Sequence, residues 1–183
     1  MTIKLMTDKP IVIEKSLSHT FKNEQQNMID SINEHRVPGD FSFPIKMTKN
    51  FQLLYNEFEK VIFDTFKKVT PLKNTWHNIP KCWAYVFDNT THVTSWHNHI
   101  DSATINGVFY LKLTGKKENG IGFRYEENEF AIVPNEFDLL IFSGKTEHIP
   151  LRPDNNSLRI SINMECMCEE SIDELFKIEN LKI

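Results

Sequence analysis

The sequence predicts a mainly β fold with flanking helices, in which short strands form two sheets packed as a jelly roll. Two observations carry that prediction. The hydrophobic period changes once, from helical spacing in the first part of the chain to alternation between Cys82 and Met164. The alternating part then divides into eight short runs separated by turn residues. With 183 residues, 40% apolar and 25% charged, the chain is long enough to bury a core without disulfide or metal staples. A single domain over residues 1–183 is expected, with helical support at 1–81, the strand core at 82–165 and a C-terminal helix at 166–183.

Pro10-Ile11-Val12-Ile13-Glu14 is a short β signal. Residues 19–35 suggest a helix with a thin stripe of Phe21, Met28, Ile29 and Ile32. The strongest helix is 48–70, where Phe51, Leu54, Tyr55, Phe58, Val61, Ile62, Phe66 and Val69 recur at i, i+3, i+4 and i+7. Thr48 is placed to cap it, and Pro71 follows its end. Strands are expected at 82–87, 92–99, 105–113, 121–125, 129–133, 137–142, 147–151 and 158–164. The helices are expected on one outer face of the larger sheet. Ser171-Ile172-Asp173-Glu174 reads as a capping box opening the terminal helix. Trp-His-Asn occurs at 76–78 and again at 96–98, a chance match rather than a repeat.

Composition excludes several classes of function. There are 21 basic and 25 acidic residues, a net charge of −4, and the charges are interspersed, which argues against a broad grip on nucleic acid or anionic lipid. Gly120-Ile121-Gly122 has Tyr125 where a dinucleotide loop needs a third small residue, and no phosphate-loop motif occurs. No Gly-x-Ser-x-Gly elbow occurs either. The first ten residues lack a signal peptide's apolar segment, and the longest apolar run, Leu139-Leu140-Ile141-Phe142, suits a buried strand and not a membrane span. A cytoplasmic protein is expected, with Cys82, Cys166 and Cys168 as free thiols and no glycan at Asn89 or Asn155.

Chemistry concentrates in the strand region. Trp96-His97-Asn98-His99-Ile100-Asp101 sets three potential metal ligands at i, i+2 and i+4, on one face if the segment is extended. Their full span is roughly 13 Å at about 3.3 Å per residue, so only an adjacent pair could share an ion. That pair is His97 with His99, or His99 with Asp101. His148 follows 49 residues after His99. Two ligands on one strand and a distant histidine is the sequence form of a facial triad with open coordination positions. In Arg159-Ile160-Ser161-Ile162-Asn163 the polar residues share one face. Facing a cavity, Arg159 could hold a carboxylate through its planar, permanently charged fork.

These residues, with Asn106-Gly107-Val108-Phe109-Tyr110-Leu111, Gly120-Ile121-Gly122-Phe123 and Asp138-Leu139-Leu140-Ile141-Phe142, resemble the Fe(II)/2-oxoglutarate-dependent oxygenases, in particular small bacterial and phage members. The resemblance covers about residues 82–165. It implies a double-stranded β-helix, cupin-like in outline, with Fe(II) and O₂ as cofactors and 2-oxoglutarate as cosubstrate. It implies oxidative decarboxylation of 2-oxoglutarate to succinate, coupled to hydroxylation or demethylation of a substrate. By position, Arg159 would hold the distal carboxylate of 2-oxoglutarate, with Ser161 and Tyr110 as hydroxyl donors. His99, Asp101 and His148 are the preferred metal ligands, because a carboxylate offsets part of the Fe(II) charge; His97 is the alternative to Asp101. Asn106, Trp83 and Tyr85 are candidate cavity or substrate residues. The sequence departs from the family in two turns: Phe137 stands where a glycine is usual, and Ser143-Gly144 replaces a proline-containing turn. A cupin-type metal protein and a non-catalytic jelly-roll module are the alternatives. The substrate, a protein side chain or a small molecule, is not specified.

Overall fold

The computed structural model describes residues 2–6, 9–72, 81–87, 95–114, 120–125, 127–151 and 157–182. Strand alternation decides what each face of the main sheet meets. In β5 (Ile105–Leu113), Ile105, Phe109 and Leu111 join one apolar core while Val108 and Tyr110 join another. The first core lies between the sheet and the helices. The second lies between the two sheets and supports the site.

The larger sheet is antiparallel, in the order β1 (Thr2–Met6), β2 (Lys9–Ser16), β8 (Asp138–Ser143), β5, β10 (Arg159–Cys166), β4 (Lys81–Phe87), β3 (Ser42–Pro44). The smaller sheet runs β7 (Asn128–Ile132), β6 (Ile121–Tyr125), β9 (Glu147–Pro150). Val12, Val108, Leu140 and Phe142 from the first sheet meet Ile121, Phe123 and Ile132 from the second. This is the expected jelly roll with flanking helices.

The helical stripe behaves as its spacing requires. Helix α3 (Lys49–Thr65) buries Phe51, Leu54, Phe58, Val61 and Ile62 on the outer face of the larger sheet. Phe58 crosses β5 where it has no side chain: a Cβ on Gly107 would sit 2.6 Å from the ring. Phe58→Ala is therefore expected to cost about 3–5 kcal/mol and Gly107→Ala about 1–3 kcal/mol. Removing the ring makes room for the methyl, so the double variant should cost less than the sum of the two. Urea unfolding of the three variants checks this; strict additivity would separate Phe58 from Gly107.

Helix α3 stops at Thr65 and not at residue 70, because Phe66 turns extended and bridges Leu181. Thr48 precedes it in extended conformation, but its side chain makes no capping hydrogen bond. The expected helix at 19–35 is broken into α1 (Ser18–Phe21), a 3₁₀ turn at Lys22–Glu24 and α2 (Gln25–His35), with Phe21, Met28 and Ile32 still buried. Strands β1 and β3 were not expected. The β signal at 10–14 lengthens to Lys9–Ser16. Of the expected strand 92–99, residues 92–94 lie outside the described residues, and 95–99 form no strand apart from one bridge at His97.

At the C-terminal end, Cys166 still belongs to β10, and the helical part shrinks to α4 (Ile172–Leu175) and a 3₁₀ turn at Ile178–Asn180. Ser171 does cap α4, accepting from the Glu174 N–H at 3.2 Å. All three cysteines are buried and free. Among the described residues no helix is long and apolar enough to cross a membrane. Residues 76–78, Asn89 and Asn155 lie outside the described residues.

Phe137, at the turn where glycine is usual, has φ of 71°. Left-handed backbone costs a residue with a Cβ roughly 1–2 kcal/mol. Burial of its ring near Phe109 offsets that cost, and its N–H donates to the Tyr110 carbonyl at 2.7 Å.

Candidate metal centre

His148 lies on β9 and is buried. His97 reaches it through paired backbone hydrogen bonds: His97 N–H to His148 O at 3.2 Å, and His148 N–H to His97 O at 2.9 Å. The His99 N–H donates to the Gly144 carbonyl at 2.9 Å. The segment carrying His97 and His99 is thus moored to β9 and to the turn before it without being a strand. Trp96 adds a clamp, with the Arg124 guanidinium 4.3 Å from its ring centroid. Its ring also packs over Gly122, where a Cβ would sit 3.2 Å away.

The three imidazoles converge. Ring centroids are 4.4 Å apart for His97 and His148, 5.3 Å for His97 and His99, and 5.2 Å for His99 and His148. One potential ligand atom from each lies within 4.8 Å of the others. Every Nδ1 faces an acceptor: the Ser95 carbonyl at 3.0 Å for His97, a Glu165 carboxylate oxygen at 2.9 Å for His99, and the Thr146 carbonyl at 3.1 Å for His148. An acceptor there fixes the proton on Nδ1 and leaves the lone pair on Nε2. Burial, reinforced by the two neighbouring histidines against the pull of the Thr146 carbonyl, pushes the pKa of His148 down to about 3. Its ring is neutral near pH 7, as ligation requires.

Asp101 does not join this group. The N–H groups of Ser102 and Ala103 both donate to the His99 carbonyl, at 3.0 and 2.8 Å, so the chain turns immediately after His99. Alternation holds only for extended backbone, and the turn leaves Asp101 exposed. The structure brings together His97, His99 and His148 and leaves Asp101, the residue preferred from the sequence, outside that group.

A cavity opens beside the imidazoles. Val108 and Tyr110 of β5 and Arg159, Ser161 and Asn163 of β10 line it, with Trp83 and Tyr85 of β4. Cross-strand register places Ser161 opposite both Tyr110 and Tyr85. Arg159 is 2% exposed. Its Nη1 donates to the Gly120 and Leu151 carbonyls at 2.7 and 3.2 Å, and its guanidinium carbon lies 4.7 Å from the Phe87 ring centroid. Its Nε and Nη2 have no partner among the described residues. Burial pulls the Arg159 pKa down, yet guanidinium titrates far above neutrality and stays charged. Burial raises the Tyr110 pKa more than Arg159 lowers it, so the phenol keeps its proton.

Asn106 is buried, with neither side-chain polar atom partnered among the described residues, and it does not line this cavity. Sequence reasoning missed Glu165. The signal was available, since Glu165 continues the alternation of Arg159, Ser161 and Asn163.

With the site in view, the likeness to solved structures is informative. A prolyl hydroxylase from Trichoplax adhaerens, in complex with a hypoxia inducible factor oxygen degradation domain peptide fragment, superposes with a TM-score of 0.61 at 14% identity, covering 89% of this chain and 85% of that one. A viral collagen prolyl hydroxylase from Paramecium Bursaria Chlorella virus-1 gives 0.58 at 11% identity, covering 91% and 98%. An oxidoreductase of the 2OG-Fe(II) oxygenase family from Burkholderia pseudomallei gives 0.53 at 11%, covering 85% and 84%. No protein-family model matches the sequence, and no curated protein matches it. At these identities the likeness establishes the fold: this chain is built like the prolyl hydroxylases and 2OG-Fe(II) oxygenases over most of its length.

Proposed function

We propose that this protein is an Fe(II)- and 2-oxoglutarate-dependent dioxygenase that hydroxylates or demethylates its substrate. The observation that carries the reading is Arg159, a buried guanidinium whose Nε and Nη2 have no partner among the described residues, in the same cavity as three converging imidazoles. A buried charge without a partner is costly, and a ligand carboxylate offsets that cost. His97, His99 and His148 would hold the metal through Nε2. A metal held by three protein ligands would be able to take a chelating 2-oxo acid as well. When bound, the metal and 2-oxo acid couple O₂ consumption to decarboxylation: substrate C–H, O₂ and 2-oxoglutarate give substrate C–OH, succinate and CO₂.

The chain's own part is binding and exclusion of water. Arg159 would receive the distal carboxylate, with the Tyr110 and Ser161 hydroxyls, which line the same cavity, as further donors. Phe87 packs against the guanidinium and Val108 lines the cavity, which keeps that end dry. Trp83 and Tyr85, half-buried on β4, line the same cavity and would face the substrate.

Calorimetry with Mn²⁺ as an inert metal should show 2-oxoglutarate binding only when the metal is present. Fe(II) in air should then give succinate. Metal binding without 2-oxoglutarate binding would make this a cupin-type metal protein; binding of neither would leave a non-catalytic module.

A further inference from the structure

The three imidazoles are not held alike. His97 and His148 each turn Nδ1 to a backbone carbonyl, whereas His99 turns it to the carboxylate of Glu165 at 2.9 Å. Glu165 is 7% exposed at the far end of β10 from Arg159. The Ser102 hydroxyl donates to the same Glu165 oxygen at 2.9 Å. Ser102 and His99 are the two ends of the turn that carries Asp101 away, so both ends of that turn converge on one carboxylate oxygen. Tyr55 of α3 donates to the Glu165 backbone carbonyl at 3.0 Å and ties this end of β10 to the helix.

Three neutral imidazoles bring no negative charge to a divalent ion. A carboxylate hydrogen-bonded to the remote N–H of a ligating histidine fixes the ring and raises its basicity. In a buried setting that charge is weakly screened. We propose that Glu165 is the positioning residue of the metal centre, orienting His99 and supplying through it the negative charge that a three-histidine ligand set lacks. The proposal rests on the metal reading above and adds a residue that does not itself touch the ion.

The test is anaerobic titration of Co²⁺ into the full-length protein and its Glu165→Gln, Glu165→Ala and Ser102→Ala variants. Affinity and the visible ligand-field spectrum are read together, with the metal-free thermal midpoint as a folding control. Removing such a partner commonly costs about 10–100-fold in metal affinity, and Glu165→Ala should fall in that range with an altered spectrum. Glu165→Gln keeps an acceptor for His99 but loses the charge, so it should fall between Glu165→Ala and wild type. Ser102→Ala should shift affinity least. Wild-type affinity and spectrum in Glu165→Ala would overturn the proposal. If that variant does not fold, the same result in Glu165→Gln would overturn the role of the charge. A wild-type protein that takes up no Co²⁺ would overturn the metal reading itself and this proposal with it, an outcome distinct from an effect confined to the variants.

Discussion

Alanine at His97 is expected to weaken Mn²⁺ binding by more than about 100-fold, beyond what loss of an outer partner usually costs, while alanine at Asp101 leaves it nearly unchanged. The contrast follows from where the backbone turns. His97 is fixed to His148 by two backbone hydrogen bonds, and its ring centroid is 4.4 Å from that of His148. Asp101 sits on the exposed turn after His99, outside the group of converging ligand atoms. His99→Ala and His148→Ala should match His97→Ala, because each removes one of three imidazoles whose potential ligand atoms lie within 4.8 Å of one another. Electron paramagnetic resonance of free Mn²⁺ against protein concentration gives the ordering directly. If Asp101→Ala loses the metal and His97→Ala keeps it, the turn at 99–103 rearranges on binding and the site is a two-histidine, one-carboxylate triad.

What could be read from the sequence depended on whether its cue was local. The seven strands predicted at 82–87 and between residues 105 and 164 appear with shifts of at most two residues, because period-two burial on two cores is written in each strand's own residues. Helix α3 was equally legible from its Phe-rich stripe, but its end was not. Phe66 continues the helical period, but its bridge to Leu181 and the hydrogen bonds from Lys67 N–H to Asn180 O and from Lys182 N–H to Thr65 O, all distant in sequence, hold it extended. Strand β3 is three residues long, too short to show any period.

The site was half legible for the same reason. His97, His99, His148 and Arg159 stood out by residue type and spacing. The choice between His97 and Asp101 turned on whether 97–101 is straight. Long-range hydrogen bonds to Gly144 and His148 and the turn at His99 decide that, and none of them has a signature within the segment. Glu165 shares the polar face of Arg159, Ser161 and Asn163, which was legible, but its contact with His99, 66 residues away, was not.

Removing the fork of Arg159 should cost 2-oxoglutarate affinity on the order of 2–5 kcal/mol, or roughly 30- to 5000-fold, without unfolding the protein. Arg159→Met is the variant of choice, since a side chain of similar length keeps apolar contact with Phe87 where alanine would leave a void. Among the described residues two of the guanidinium nitrogens are buried without partners, and Nη1 donates to the Gly120 and Leu151 carbonyls. Methionine forfeits those two hydrogen bonds but removes a buried charge, and such exchanges are often neutral or stabilising. The thermal midpoint without ligand should therefore stay level or rise, while calorimetric binding of 2-oxoglutarate with Mn²⁺ collapses. Opposite movement of stability and binding is the mark of a group held at a cost for its ligand. Arg159→Lys should recover part of the affinity, as a point charge without the second arm of the fork. Undiminished binding in Arg159→Met would remove Arg159 from the cosubstrate site, and a large drop in thermal midpoint would assign the residue to the fold.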